Sequence, residues 1–145
     1  MEAKQITAEQ TRDLRHRVLW PHKDRMEECM IDIDHGEDAI HLGTFDGDRI
    51  VSVLSLFEMS SPKLDFERQY RLRVMGTDPE YGGLGAGKLI VELAKEVIRE
   101  KSYDIIWCDA RKVALGFYDR LGFKIIGDWY DVPEIGLHKT MFFKL

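Results

Sequence analysis

The chain has 145 residues, 44% of them hydrophobic and 32% charged, with a formal net charge of −5. That length predicts a single domain over residues 1–145, and that composition belongs to a soluble globular protein rather than a disordered or fibrous one. The acidic balance argues against nucleic acid as a partner, no apolar run is long enough to span a membrane, and the opening Met1-Glu2-Ala3-Lys4-Gln5 lacks a signal-peptide core, so a cytoplasmic location is the expectation.

Ala3 to Ile6 reads as a short strand. Thr7-Ala8-Glu9-Gln10 has the form of a capping box and opens a helix running to about Arg17, where Pro21 soon breaks the pattern. A second short helix is expected over residues 22–30. The basic run Arg12, Arg15, His16 and Arg17 is read first as a solvated face, and second as a contact for an anionic acceptor. Asp32, Asp34, Glu37 and Asp38 stand near His35 and His41, but Gly43 occupies the place of the bidentate Glu of a calcium loop. A solvated loop without metal is the reading. Cys29 and Cys108 make no metal or redox spacing and are read as reduced thiols.

Residues 40–45 and 49–59 read as strands joined at Asp46-Gly47, a hairpin signal, the second strand apolar nearly throughout as a central strand is. Residues 69–75 supply another strand. In residues 88–101 the apolar positions Leu89, Ile90, Leu93, Ala94, Val97 and Ile98 repeat as helix doublets. A buried strand at 105–108, a helix at 112–121 ended by Gly122, and strands at 124–130 and 138–145 complete the chain. The order β-α-α-β-β-β-α-β-α-β-β predicts an α/β fold, with a mixed, mostly antiparallel sheet flanked by helices.

Between the strand at 69–75 and the helix that follows lies Asp78-Pro79-Glu80-Tyr81-Gly82-Gly83-Leu84-Gly85-Ala86-Gly87-Lys88. A bare loop that feeds a helix N-terminus offers unpaired N–H donors and the positive end of the helix dipole, which suits phosphate. The P-loop pattern is met at Gly82, Gly87 and Lys88, but Leu89 stands where Ser or Thr must hold Mg²⁺. The dinucleotide pattern fails in both registers, at Lys88 and at Ile90.

Thr77-Asp78-Pro79-Glu80-Tyr81 followed by Gly82-Gly83-Leu84-Gly85-Ala86-Gly87 resembles the acyl-CoA loop of the GNAT superfamily of N-acyltransferases, with Gly82 where that family usually has Gln or Arg. Ala114, Tyr118, Gly122 and Phe123 match its second hallmark, N-x-x-A-x-x-x-Y-x-x-x-G-F, with Arg111 in place of the Asn. The segment 135–141 resembles the G-[IL]-x-H-x-x-M ending of some members, and His138 is read as a strand residue there. The order of elements given above is also that of the GNAT fold.

The resemblance implies an N-acetyltransferase moving acetyl from acetyl-CoA to a primary amine of a small molecule or peptide. It implies that Gly82, Gly83, Leu84, Gly85, Ala86, Gly87 and Lys88 bind the pyrophosphate through their backbone. Met75 and Thr77 would pair with the pantetheine arm, and one N–H would face the thioester oxygen. Tyr118 would be the general acid at the departing sulfur, although spacing alone reads it as a packing tyrosine. Glu58, at the end of the central strand, is the carboxylate proposed as base, with Asp109, His138 and ordered water as alternatives. A homodimer is compatible with the resemblance. An inactive CoA-binding sensor is the competing reading, and an Mg²⁺-nucleotide binder a more distant one.

Overall fold

The computed structural model describes all residues, 1–145. The strands are β1 (Glu2–Ile6), β2 (Ile40–Asp46), β3 (Arg49–Glu58), β4 (Gln69–Thr77), β5 (Ile105–Arg111), β6 (Lys124–Val132) and β7 (Gly136–Lys144). They follow the order β1-β2-β3-β4-β5-β7-β6 in a seven-stranded sheet. The helices are α1 (Arg12–Leu14), α2 (Ala86–Glu100) and α3 (Leu115–Arg120). This is the α/β architecture expected, and no helix is long and apolar enough to cross a membrane. The residues group into two compact units, Met1–Phe57 with Leu72–Glu96, and Glu58–Arg71 with Val97–Leu145.

In the first unit β1, β2 and β3 are antiparallel, and the β2–β3 turn pairs Asp46 with Arg49 across Gly47, which takes φ 61. The capping box forms: the Thr7 N–H donates to Gln10 Oε1 at 2.8 Å and the Gln10 N–H to Thr7 Oγ1 at 3.2 Å. The segment that follows is irregular, a 3-10 turn at Glu9–Thr11, then α1, then a π turn at Arg15–Leu19. The helix expected near 22–30 shrinks to a 3-10 turn at Met26–Glu28. Ile6, Leu14 and Val53 form a core there, with Val18, Phe45 and Ile50 packed on it.

In the second unit β5, β7 and β6 are antiparallel, and Gln69 to Arg71 of β4 pair in parallel with Ile105 to Trp107. Leu64, Ile105 and Trp107 form its core beneath Met59, Phe66, Ile126 and Phe142. Strand alternation puts Trp107, Asp109, Thr140 and Phe142 on one face, and Cys108, Met141 and Phe143 on the other.

Candidate active site

The glycine loop begins at a staple. Asp78 is 3% exposed, and its N–H donates to the Val51 carbonyl at 2.8 Å. Its Oδ1 accepts from the Glu80 N–H at 3.0 Å, while Oδ2 accepts from Arg17 at 3.0 Å and Arg49 at 2.8 Å. The Glu80 N–H and the two guanidiniums hold the Asp78 carboxyl below the usual carboxylate range. Tyr81 closes the turn by donating its hydroxyl to Asp46 at 2.6 Å. The start of α2 is tied down separately, since Thr44 Oγ1 donates to the Ala86 carbonyl at 2.9 Å.

Gly83 has φ 75 and Gly85 φ 90, a region side chains disfavour, yet a Cβ at either would meet nothing within 4 Å. Backbone shape and open space, not crowding, therefore explain these glycines. The Gly82 N–H donates to the Pro79 carbonyl at 3.1 Å and the Leu84 N–H to Tyr81 at 3.2 Å, so the turn itself uses both. The amides of Gly83, Gly85, Ala86, Gly87 and Lys88 have no acceptor within the protein. They lie at and just before the N-terminus of a 15-residue helix, where the dipole adds a positive field.

Just before this loop β4 leaves regular geometry. Val74, a β-branched residue, has φ 54. Such a conformation is strained for a β-branched residue and departs from regular strand geometry. Ser52 steadies the next residues, its hydroxyl 3.1 Å from the Gly76 carbonyl and 2.9 Å from Thr77 Oγ1. Met75 and Thr77 are both half-buried here.

In the second unit Tyr118 of α3 is 6% exposed, with ring centroids 5.1 Å from Phe117 and 5.2 Å from Phe123. Burial, reinforced by Cys108 and opposed by Arg111, pushes its phenol well above the ordinary value. The phenol is therefore protonated near neutrality. Gly122 ends the helix at φ 90, and a Cβ there would lie 3.0 Å from Phe143. The motif's Gly thus has a packing reason in this chain.

Glu58 is exposed and accepts a hydrogen bond from the Tyr103 hydroxyl. Asp109 is engaged more fully. Arg71 donates to its Oδ2 at 2.7 Å, Thr140 Oγ1 lies 3.3 Å from Oδ1, and the Tyr130 phenol donates to Oδ1 as well. Burial first and that bond second raise the Tyr130 phenol above its usual range. Lys63 leans over the Tyr130 ring at 3.9 Å and donates to Thr140 Oγ1 at 3.1 Å. This network escaped the sequence reading because its members come from distant segments.

The basic run of the first segment serves the fold. Arg15 is wholly buried and pairs with Asp34 at 2.7 Å, also donating to Ser55 and to the Cys29 carbonyl. Arg17 is taken by Asp13 and Asp78, and His16 Nε2 sits 2.7 Å from the Lys23 carbonyl. Asp34 therefore anchors the acidic loop internally, and His35 meets Glu9 at 2.6 Å.

The acetyltransferase (GNAT) family model matches residues 4–123. The chain is 37% identical over 142 residues to the uncharacterized N-acetyltransferase YitI of Bacillus subtilis (strain 168), covering 98% of this chain and 95% of that one. Its fold matches an aminoglycoside 6'-N-acetyltransferase complexed with coenzyme A at TM-score 0.77, with 15% identity over 99% of this chain and 97% of that one. It also matches Escherichia coli ElaA at TM-score 0.74, with 18% identity over 97% of each. The glycine loop, the buried tyrosine before Gly122 and these likenesses agree: the chain belongs to the acetyltransferase (GNAT) family, whose members are acyltransferases.

Proposed function

We propose that this protein transfers the acetyl group of acetyl-CoA to a primary amine of a small molecule or peptide by direct attack. The observation that carries this reading is the row of partnerless amides at Gly83, Gly85, Ala86, Gly87 and Lys88. They suit a diphosphate, and few basic side chains are needed to hold it. Met75 and Thr77 would offer their backbone to the pantetheine arm, and one N–H would face the thioester oxygen. Oriented donors of this kind contribute about 3–4 kcal/mol in known oxyanion holes.

Attack by the amine creates a tetrahedral carbon, and its collapse expels a thiolate. Tyr118, held protonated by burial, would donate to that sulfur. Glu58 as base would take the amine proton on a carboxylate that already accepts a hydrogen bond from the Tyr103 phenol. The buried free thiols Cys29 and Cys108 suit a reducing compartment and support a cytoplasmic location.

A panel of primary amines, screened for CoA release from acetyl-CoA, tests the reading. Steady release with at least one amine is the expected result. Binding of acetyl-CoA with no release across the panel favours the sensor instead, a reading that Gly82 and Arg111 keep alive as departures from the family pattern.

A further inference from the structure

From Gly82 to Gly87 no residue carries a polar side chain, so the grip on a diphosphate rests on the backbone amides and on where they point. Little within the loop fixes that aim. Gly82, Gly83, Leu84 and Gly85 are all exposed, and a Cβ at Gly83 or Gly85 would meet nothing within 4 Å. A loop that is ordered only by its ligand loses affinity to the entropy of that ordering. The amides must therefore be aimed from the two ends.

The downstream end belongs to α2, where the Leu89 N–H donates to the Gly85 carbonyl at 3.0 Å and Thr44 holds the Ala86 carbonyl. The upstream end depends on one buried side chain. Asp78 Oδ1 fixes the Glu80 N–H, and the Asp78 carbonyl accepts from the Tyr81 N–H at 2.8 Å. Its Oδ2 draws in Arg17 from the first segment and Arg49 from the start of β3, and both guanidiniums stay partly open to solvent. The first segment also lies against the chain just ahead of the loop, since a Cβ at Gly76 would stand 3.2 Å from Leu19 and 3.4 Å from Leu14. All of these residues belong to the first compact unit. A carboxylate at the foot of an anion-binding loop opposes its ligand by charge, so its use there calls for another reason.

We propose that Asp78 is a positioning residue for coenzyme A: gripped by Arg17 and Arg49, it holds the turn so that the amides after it are aimed before the cofactor arrives. The proposal rests on the acetyltransferase reading above. The two guanidiniums act through the Asp78 carboxylate and not on the cofactor itself.

The sign of one substitution separates this role from charge. Asp78→Asn keeps the shape and a side-chain oxygen but removes the charge that binds both arginines. By Coulomb attraction alone, losing a negative charge beside the loop tightens coenzyme A; by positioning, it weakens it. Calorimetry, run where a urea curve shows the variant folded, should find the Kd for CoA raised about tenfold. With an amine taken from the panel, the KM for acetyl-CoA should rise by a similar factor while kcat stays level at saturation. Arg49→Gln, which leaves Arg17 in place to hold the turn, should raise the Kd several-fold in the wild type and hardly at all in the Asp78→Asn background. It also carries the test should Asp78→Asn fail to fold, since the wild-type background alone must then show a weaker Kd. An unchanged or lower Kd in Asp78→Asn, an unchanged Kd in Arg49→Gln, or equal effects of Arg49→Gln in both backgrounds overturns the proposal and leaves the acetyltransferase reading standing. A wild type that binds no CoA overturns both.

Discussion

The Arg15 guanidinium meets the Asp34 carboxylate in two parallel bonds of 2.7 and 2.9 Å, at a point where neither side chain has any solvent exposure. Removing one partner strands the other charge in the interior, which costs about 3–5 kcal/mol. Asp34→Ala should therefore lower the urea midpoint by that amount of stability, while Asp32→Ala, an exposed neighbour, should change it little.

The same pair predicts an acid limb. Burial pushes the Asp34 carboxyl up, but the Arg15 bond, the Ile31 N–H and the Arg15 charge outweigh it and leave the value lowered. A folded value below the unfolded one gives stability that is present above the ordinary carboxylate range and lost as pH falls through the folded value. Between about pH 5 and pH 3, the wild type should lose more stability than Asp34→Asn. Equal losses in the two proteins count against the pair as a source of acid sensitivity.

At Gly85 the φ of 90 and the empty space where a Cβ would stand separate shape from crowding. Gly85→Val should strain the loop by about 1–3 kcal/mol and shift its amides. Calorimetry should show the Kd for CoA rising about tenfold or more, with the fold retained. An unaltered Kd would show that these amides do not bind the cofactor.

The two motif segments were legible because their chemistry is local: a glycine at positive φ and a helix start declare themselves within a few residues. Phase and tertiary pairing were not. In α2 the doublets put Leu89 inward, yet it is 39% exposed, while Val91 and Lys95 are buried instead. The helix starts at Ala86, two residues before the expected 88, and its buried stripe runs through Ile90, Val91, Ala94, Lys95 and Ile98. Lys95 tolerates this by pairing with Glu92 at 3.0 Å. Arg15 read as a solvated or substrate-facing charge because its partner Asp34 lies on a separate loop. The Asp109 network joins β4, β5, β6 and β7, and no spacing rule connects those strands in advance.

Val74 makes an unusual stability prediction. Replacing a strand valine with glycine ordinarily destabilises, through lost packing and a freer unfolded chain. Here the native φ of 54 suits glycine, and relief of strain should offset much of that loss. Val74→Gly should therefore unfold within about 1 kcal/mol of the wild type, yet turn over more slowly if the kink aims an amide at the thioester oxygen. A loss of several kcal/mol would show that Val74 is held by packing that glycine cannot replace.

Tyr118→Phe removes a hydroxyl and keeps the ring contacts with Phe117 and Phe123. Turnover should fall on the order of 100-fold while the Kd for CoA stays level. Because burial keeps the phenol protonated, Tyr118 should contribute no alkaline limb to the wild-type rate near neutrality. Unchanged turnover in the variant removes Tyr118 from the chemistry and leaves it as a packing residue.

The most direct trial of the whole account is an amide-resolved NMR titration with acetyl-CoA, and with inorganic pyrophosphate alongside it. The N–H signals of Gly83, Gly85, Ala86, Gly87 and Lys88 should move with both ligands, because each lacks an acceptor until a diphosphate supplies one. Saturable acetyl-CoA binding that leaves those signals in place would contradict it.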